Sequence, residues 1–187
     1  MNFDFNRHTI GMALRFYARG LSFPYDELIH ELHHLFREIE KTIDTDIDNT
    51  VASRILDVIN FYQGEEQADL HAEYARLFSF VRDEEPLVSI QLSQINANID
   101  QGRLMDEIAH STSMLGVDEA EDAVPNILDL FSSYIEMEDE TYIESFFDSF
   151  IASGIPVFCE QLYQVTSLNF YKEIAKGLNE LVFLLKE

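Results

Sequence analysis

Cysteine is nearly absent from this chain and tryptophan is wholly absent. The single thiol, Cys159, rules out an intrachain disulfide and any cysteine-based zinc site, and it fits a reducing compartment. Glycine and proline are scarce too, at 7 and 4 of 187 residues, about half the usual share. A sandwich or barrel needs a turn signal roughly every 8–12 residues, so this scarcity predicts an all-α bundle of about nine or ten helices with short connections. Basic residues number 12 against 35 acidic ones, a formal net charge of -23. Nucleic acid and anionic membrane surfaces are excluded as partners, since both are gripped by clustered Lys and Arg. No run approaches the roughly 18 uncharged apolar residues of a membrane span. The opening MNFDFNRH lacks the basic-then-apolar pattern of a secretory signal. A soluble, cytoplasmic protein without membrane insertion is therefore expected.

What the chain does have is apolar mass, 47% hydrophobic and 12% aromatic residues, enough to offset the conformational entropy of a single domain over 1–187. The 3.6-residue periodicity predicts a first helix from Arg7 to Ala18, broken at Gly20 to Phe23, and a second helix opened by Pro24 and running to about Ile43. Asp44 to Asn49 reads as a loop, and Val51 to Tyr62 as a helix closed by Gly64. The next helix, Glu66 to Val81, lines up Leu70, Tyr74, Leu77, Phe78 and Val81 on one face, and Arg82 to Pro86 ends it. Leu87 to Leu115 reads as two helices parted near Gly102. A loop from Gly116 to Ala123 then leads into Pro125-Asn126 and a helix to Met137.

Thr141 and Glu144 have capping-box spacing, followed by the apolar face Ile143, Phe146, Phe147, Phe150 and Ile151. Gly154 and Pro156 punctuate the chain before a segment from Val157 to Gln164. The last helix, Ser167 to Lys186, carries so wide a stripe (Tyr171, Ile174, Ala175, Leu178, Leu181, Val182, Leu185) that a place near the centre of the bundle is expected.

His30-Glu31-Leu32-His33-His34 matches H-E-x-x-H, in which two histidines one helical turn apart bind zinc and the glutamate acts as base. At about 100° per residue, however, His30 and His34 fall opposite the stripe Leu28, Leu32, Leu35, Phe36, Ile39 and Ile43. They project from a solvated face, where a catalytic zinc would lack the dry, supported cleft it needs. A zinc-dependent hydrolase is thus a minor alternative, and no catalytic, metal or cofactor residue is assigned. The acidic runs Asp118 to Asp122 and Glu136 to Glu140 lack the alternation and glycine of a calcium loop and read as solvated connections.

Leu70-His71-Ala72-Glu73-Tyr74-Ala75-Arg76-Leu77-Phe78 is similar to the L-x-x-E-Y-x-x-L-F helix of the TorD/DmsD/NarJ family of redox-enzyme maturation chaperones. Glu85-Pro86-Leu87-Val88-Ser89 resembles that family's short segment of proline, aromatic residue and serine. Leu21-Ser22-Phe23-Pro24 fits its N-terminal pattern, and Phe150-Ile151, Ile155-Pro156-Val157-Phe158 and Phe170 to Ala175 follow its F-L…W-x-P-x-F…F-Y-x-x-L-A series in order and spacing. Gly154 stands where the family has tryptophan, and Val124-Pro125-Asn126-Ile127 where it has a central Asp-His pair.

The resemblance implies an all-helical fold without covalent chemistry or a cofactor of its own. The implied partners are the N-terminal leader, often twin-arginine, and the apo catalytic subunit of a molybdenum-containing oxidoreductase. The implied client-binding residues are Glu73, Tyr74, Leu77, Phe78, Ser89, Pro125, Asn126, Pro156 and Phe158. The acidic balance suits a basic, partly apolar leader, drawn in by the field and retained by an apolar groove. An acidic helical adaptor with another protein client is the alternative reading.

Overall fold

The computed structural model describes residues 5–79, 85–115, 121–136 and 140–186. Among them the helical stripes become α1 (Arg7–Gly20), α2 (Leu28–Glu40), α3 (Asp46–Gly64), α4 (Gln67–Phe78), α5 (Leu92–Ile95), α6 (Gln101–Leu115), α7 (Val124–Ile135), α8 (Glu140–Phe146), a π turn (Phe147–Ile151), α9 (Ala152–Val165) and α10 (Asn169–Lys186). The fold is all-α. Strand-like pairing among the described residues is confined to one antiparallel bridge, Gln91 with Ala123.

α1 opens at Asn6, whose side-chain oxygen accepts from the backbone N–H groups of His8 and Thr9 at 3.0 and 3.2 Å and so satisfies two of the donors a helix start leaves free. Ile10, Leu14, Phe16 and Tyr17 are all fully buried because α1 is flanked by α2, α3, α7 and α10. α10 packs on α9, α3 and α1, and its whole stripe from Tyr171 to Leu185 is buried, as expected of a helix near the centre. Two glycines set the α1–α10 seam. A Cβ at Gly20 would lie 2.8 Å from Ile174 Cδ1, and one at Gly177 would overlap the Tyr17 hydroxyl.

The break expected over Gly20 to Phe23 is present, since α1 ends at Gly20, which also makes a close approach to α10. Pro24, however, is no helix start: it lies in the loop before α2, its carbonyl accepting from Gln67 Nε2 at 2.6 Å and lying 2.5 Å from His71 Nε2. The acidic stretch read as a loop, 44–49, mostly belongs to α3. Thr45 and Asp48 form a reciprocal capping box there, and carboxylates are favoured in a first turn by the helix dipole. Thr141, by contrast, sits inside α8 and not at its cap. Gly102 is the second residue of α6, and the break precedes it at 96–100.

Gly154 and Pro156 do not interrupt the chain. α9 runs through both, with the π turn immediately before it. Proline cannot donate to the carbonyl one turn back, and a widened turn next to it is a common accommodation. Gly154 is required by packing, since a Cβ there would lie 2.6 Å from Leu92 Cδ1 and 2.9 Å from Ile99 Cδ1. The face Ile143, Phe146, Phe147, Phe150 and Ile151 is buried as expected, with Phe146 and Phe147 against Phe131 of α7. Val81, Arg82 to Glu84, Gly116 to Ala120 and Met137 to Asp139, each part of an expectation above, lie outside the described residues.

Candidate functional site

α4 presents two chemically different faces. On the inner one, Leu70 and Leu77 join the core, and Glu73 between them is only 5% exposed. Its carboxylate accepts from Arg76 Nε and Nη2 at 2.8 Å each, from the Thr166 hydroxyl at 2.8 Å and from the Ser167 N–H at 2.7 Å. Burial pushes this carboxyl up, but the donations from Arg76, Ser167 and Thr166 outweigh it and hold the group at about 2. Arg76 also donates to the Val165 carbonyl at 2.8 Å, so one ion pair ties α4 to the turn between α9 and α10. Glu73, expected at the client surface, belongs to the scaffold. Leu77 is fully buried, and so is Phe158, whose ring packs 6.4 Å behind Phe78.

The outer face of α4 carries His71 and Tyr74, while Phe78, only 9% exposed, is buried against Phe158 and Tyr171 with one edge lining the neighbouring cleft. Phe23, 51% exposed, stacks on His71 at 4.9 Å and meets the Tyr74 ring edge-on at 5.4 Å. The double contact of Gln67 and His71 with the Pro24 carbonyl fixes the Phe23–Pro24 segment on α4. Tyr74 is half-buried and packs against Phe78 at 5.2 Å, and burial raises its phenol above the ordinary value. These rings form a ridge that ends at a cleft.

The cleft has a volume of about 440 Å³. Its apolar wall is Phe78, Pro86 and Ile90, and Glu85 and Glu121 stand exposed at its rim. Ser89 lines it with Gln91 and Gln94. The Ser89 hydroxyl donates to Gln94 Oε1 at 2.9 Å and accepts from the Gln91 N–H at 3.2 Å, so its first role is to hold the turn. The walls are joined where Leu92 N–H donates to the Asp122 carbonyl at 2.8 Å and Val124 N–H to the Ile90 carbonyl at 2.7 Å. Asn126 is exposed beside the cleft, its amide donating to the Glu121 carbonyl at 3.2 Å, and Pro125 next to it occupies the first turn of α7.

Of the nine residues singled out, the structure thus brings Tyr74, Phe78, Ser89 and Asn126 to one surface, with Pro125 at its margin. Pro156 lies elsewhere, in a groove of about 410 Å³ between α9 and α10. Phe23, His71, Glu85 and Glu121 belong to the surface but were not singled out. The signal for His71 was available, since it falls one turn before Tyr74 and two before Phe78. The signal for Glu85 and Glu121 was not, because in a chain with 35 acids no pair stands out.

Most basic groups elsewhere are engaged. Arg15 and Arg19 on α1 pair with Glu136 and Asp129 at 2.9 and 3.4 Å, Arg54 with Glu180 at 2.5 Å, and Lys176 with Glu173 at 2.6 Å. Among the described residues no basic side chain pairs with Glu85 or Glu121. His30, Glu31 and His34 are exposed on α2, and among the described residues no three His, Cys, Asp or Glu side chains converge as a metal ion would require. No described helix is long and apolar enough to cross a membrane. Compared with known proteins, the chain matches no family model and no curated protein.

Proposed function

We propose that the protein is a cytoplasmic chaperone that binds the N-terminal leader and the apo catalytic subunit of a molybdenum-containing oxidoreductase and holds the subunit until its own cofactor is inserted. The observation that carries this reading is the α4 surface. The helix resembling the family's L-x-x-E-Y-x-x-L-F segment uses Glu73 and Leu77 to fix itself to the bundle and offers half-buried Tyr74 outward, while buried Phe78 lines the acid-rimmed cleft beside it. A surface with apolar rings at one end and, at the other, carboxylates without a basic partner among the described residues suits a basic, partly apolar segment, which electrostatics would bring in and burial would retain. No covalent step is assigned to the protein in this reading, and any cofactor belongs to the client.

The test is binding of leader peptides from the host's own molybdoenzymes, together with recovery of an apo-subunit on the tagged protein from cells grown under conditions that induce those enzymes. Micromolar or tighter leader binding and co-recovery of an apo-subunit are expected. Failure of every leader and apo-subunit to bind at any salt concentration overturns the proposal, and selective recovery of an unrelated protein would favour the adaptor alternative.

A further inference from the structure

We propose that the groove between α9 and α10 is a second interaction surface, which docks an amphipathic α-helix of a partner protein whose apolar stripe is flanked by carboxylates. It shares no residue with the cleft beside α4 and does not depend on how that surface is read. The two surfaces call for partners of opposite charge.

α9 and α10 form a hairpin, and their outward sides enclose a volume of about 410 Å³. Its walls are mainly apolar: Pro156 and Tyr163 on α9, Ala175 and Phe183 on α10, with Cys159 buried beneath them. Phe183 is 56% exposed, although Phe170 and Tyr171 on the same helix are fully buried. Lys176 stands over the Tyr163 ring at 5.6 Å and donates to Glu173 at 2.6 Å, so this end of the groove is ordered in advance. Along α10, Lys172, Lys176, Asn179, Phe183 and Lys186 recur at alternating spacings of four and three residues. At 100° per residue they fall within about 80° of one another, the register in which one helix receives another. The strip is about 21 Å long, or four turns.

Charge complementarity selects the occupant. Three of the chain's four lysines stand in this strip, in a protein of net charge -23. Lys172 and Lys186 have no acidic partner among the described residues, whereas Arg15, Arg19, Arg54 and Arg76 are paired. Glu160 is exposed on the α9 side, so the acidic flank of the incoming helix lies over α10. A flat anionic membrane would meet the lysines but leave the concave walls uncovered, and the rest of the protein would repel it. A second copy of the chain would bring a further charge of -23 and is disfavoured.

The probe is a fluorescein-labelled synthetic helix of about 18 residues, long enough for the strip, with Leu at heptad spacing and Glu along one flank. It is compared with the same peptide carrying Lys for Glu and with a scrambled sequence of its own composition. In stopped-flow anisotropy the acidic helix is expected to bind at least about tenfold more tightly than either control. Lys172→Gln with Lys186→Gln should slow its association and remove most of its salt dependence. Phe183→Ala should instead speed dissociation about tenfold and leave the salt dependence intact. None of the three side chains is buried, so folded variants are expected, checked by melting temperature. Equal affinity for the acidic and basic peptides, or indifference of binding to both variants, overturns the inference. So does binding of the protein to phosphatidylglycerol vesicles but not to the acidic helix, or self-association that Phe183→Ala abolishes in the absence of peptide binding. Leader binding at the α4 surface should be unchanged by all three substitutions, so this inference and the chaperone reading stand or fall separately.

Discussion

Glu73 shows how one residue divides the work of a helix. Its carboxyl sits at about 2 in the fold against an ordinary 4.5. A depressed value means that the interaction stabilises the protein fully above about pH 5 and is lost as pH falls toward 2. Linkage puts the contribution at up to about 3 kcal/mol. Glu73→Gln should therefore lose about 2–3 kcal/mol at pH 7 and almost nothing near pH 2, where wild type and variant converge; urea unfolding across that range measures it. An equal loss at both ends would show that shape and not charge holds the turn. From sequence, Glu73 and Tyr74 stood side by side as candidates. Neighbours on a helix point about 100° apart, and only the position of residues 165–167 decides which of them is covered.

At the scale of elements, the helices were legible because their apolar stripes are long and strictly periodic: the face from Ile143 to Ile151 and the stripe of α10 are buried on the expected residues, and in α4 so are Leu70, Leu77 and Phe78 but not Tyr74. The boundaries were less so. Gly102, Gly154 and Pro156 read as breaks, yet Gly154 lies within α9 as a contact point with α5, and Gly20, which does end α1, is a contact point as well, a property that depends on distant residues such as Leu92 and Ile174. The distinction has measurable consequences of opposite sign. Gly154→Ala gains up to about 1 kcal/mol of helix propensity but must displace two packed methyl groups, and overpacking of this kind costs about 1–3 kcal/mol, so net destabilisation is expected. Gly64→Ala, at the end of α3, meets nothing within 4 Å and should stabilise by about 0.5–1 kcal/mol. Thermal melts of the two variants decide the matter, and a stabilised Gly154→Ala would contradict the packing described.

At the scale of the whole molecule, composition disclosed the acidic field but not where it goes uncompensated, because that requires knowing which cations are drawn into pairs. Arg15 and Arg19 are drawn to α7, and Arg54 to α10. A net charge of -23 also repels itself, and added salt screens that repulsion over about 10 Å at 0.1 M. The melting temperature should accordingly rise by several degrees between 10 mM and 0.5 M sodium chloride, whereas association with the basic leader proposed above should slow over the same range. A melting temperature that falls with salt would mean that the intramolecular ion pairs outweigh the excess of acids.

The bond between Glu73 and Thr166 spans 93 residues of chain. At the usual pace of synthesis, about 5–20 residues per second, Glu73 waits on the order of 10 s on the ribosome before its partner is made. During that interval α4 cannot be locked to the bundle and its aromatic residues have no finished scaffold beneath them. The surface around α4 would thus pass through a vulnerable, unfinished stage, ended only when the turn between α9 and α10 has been translated.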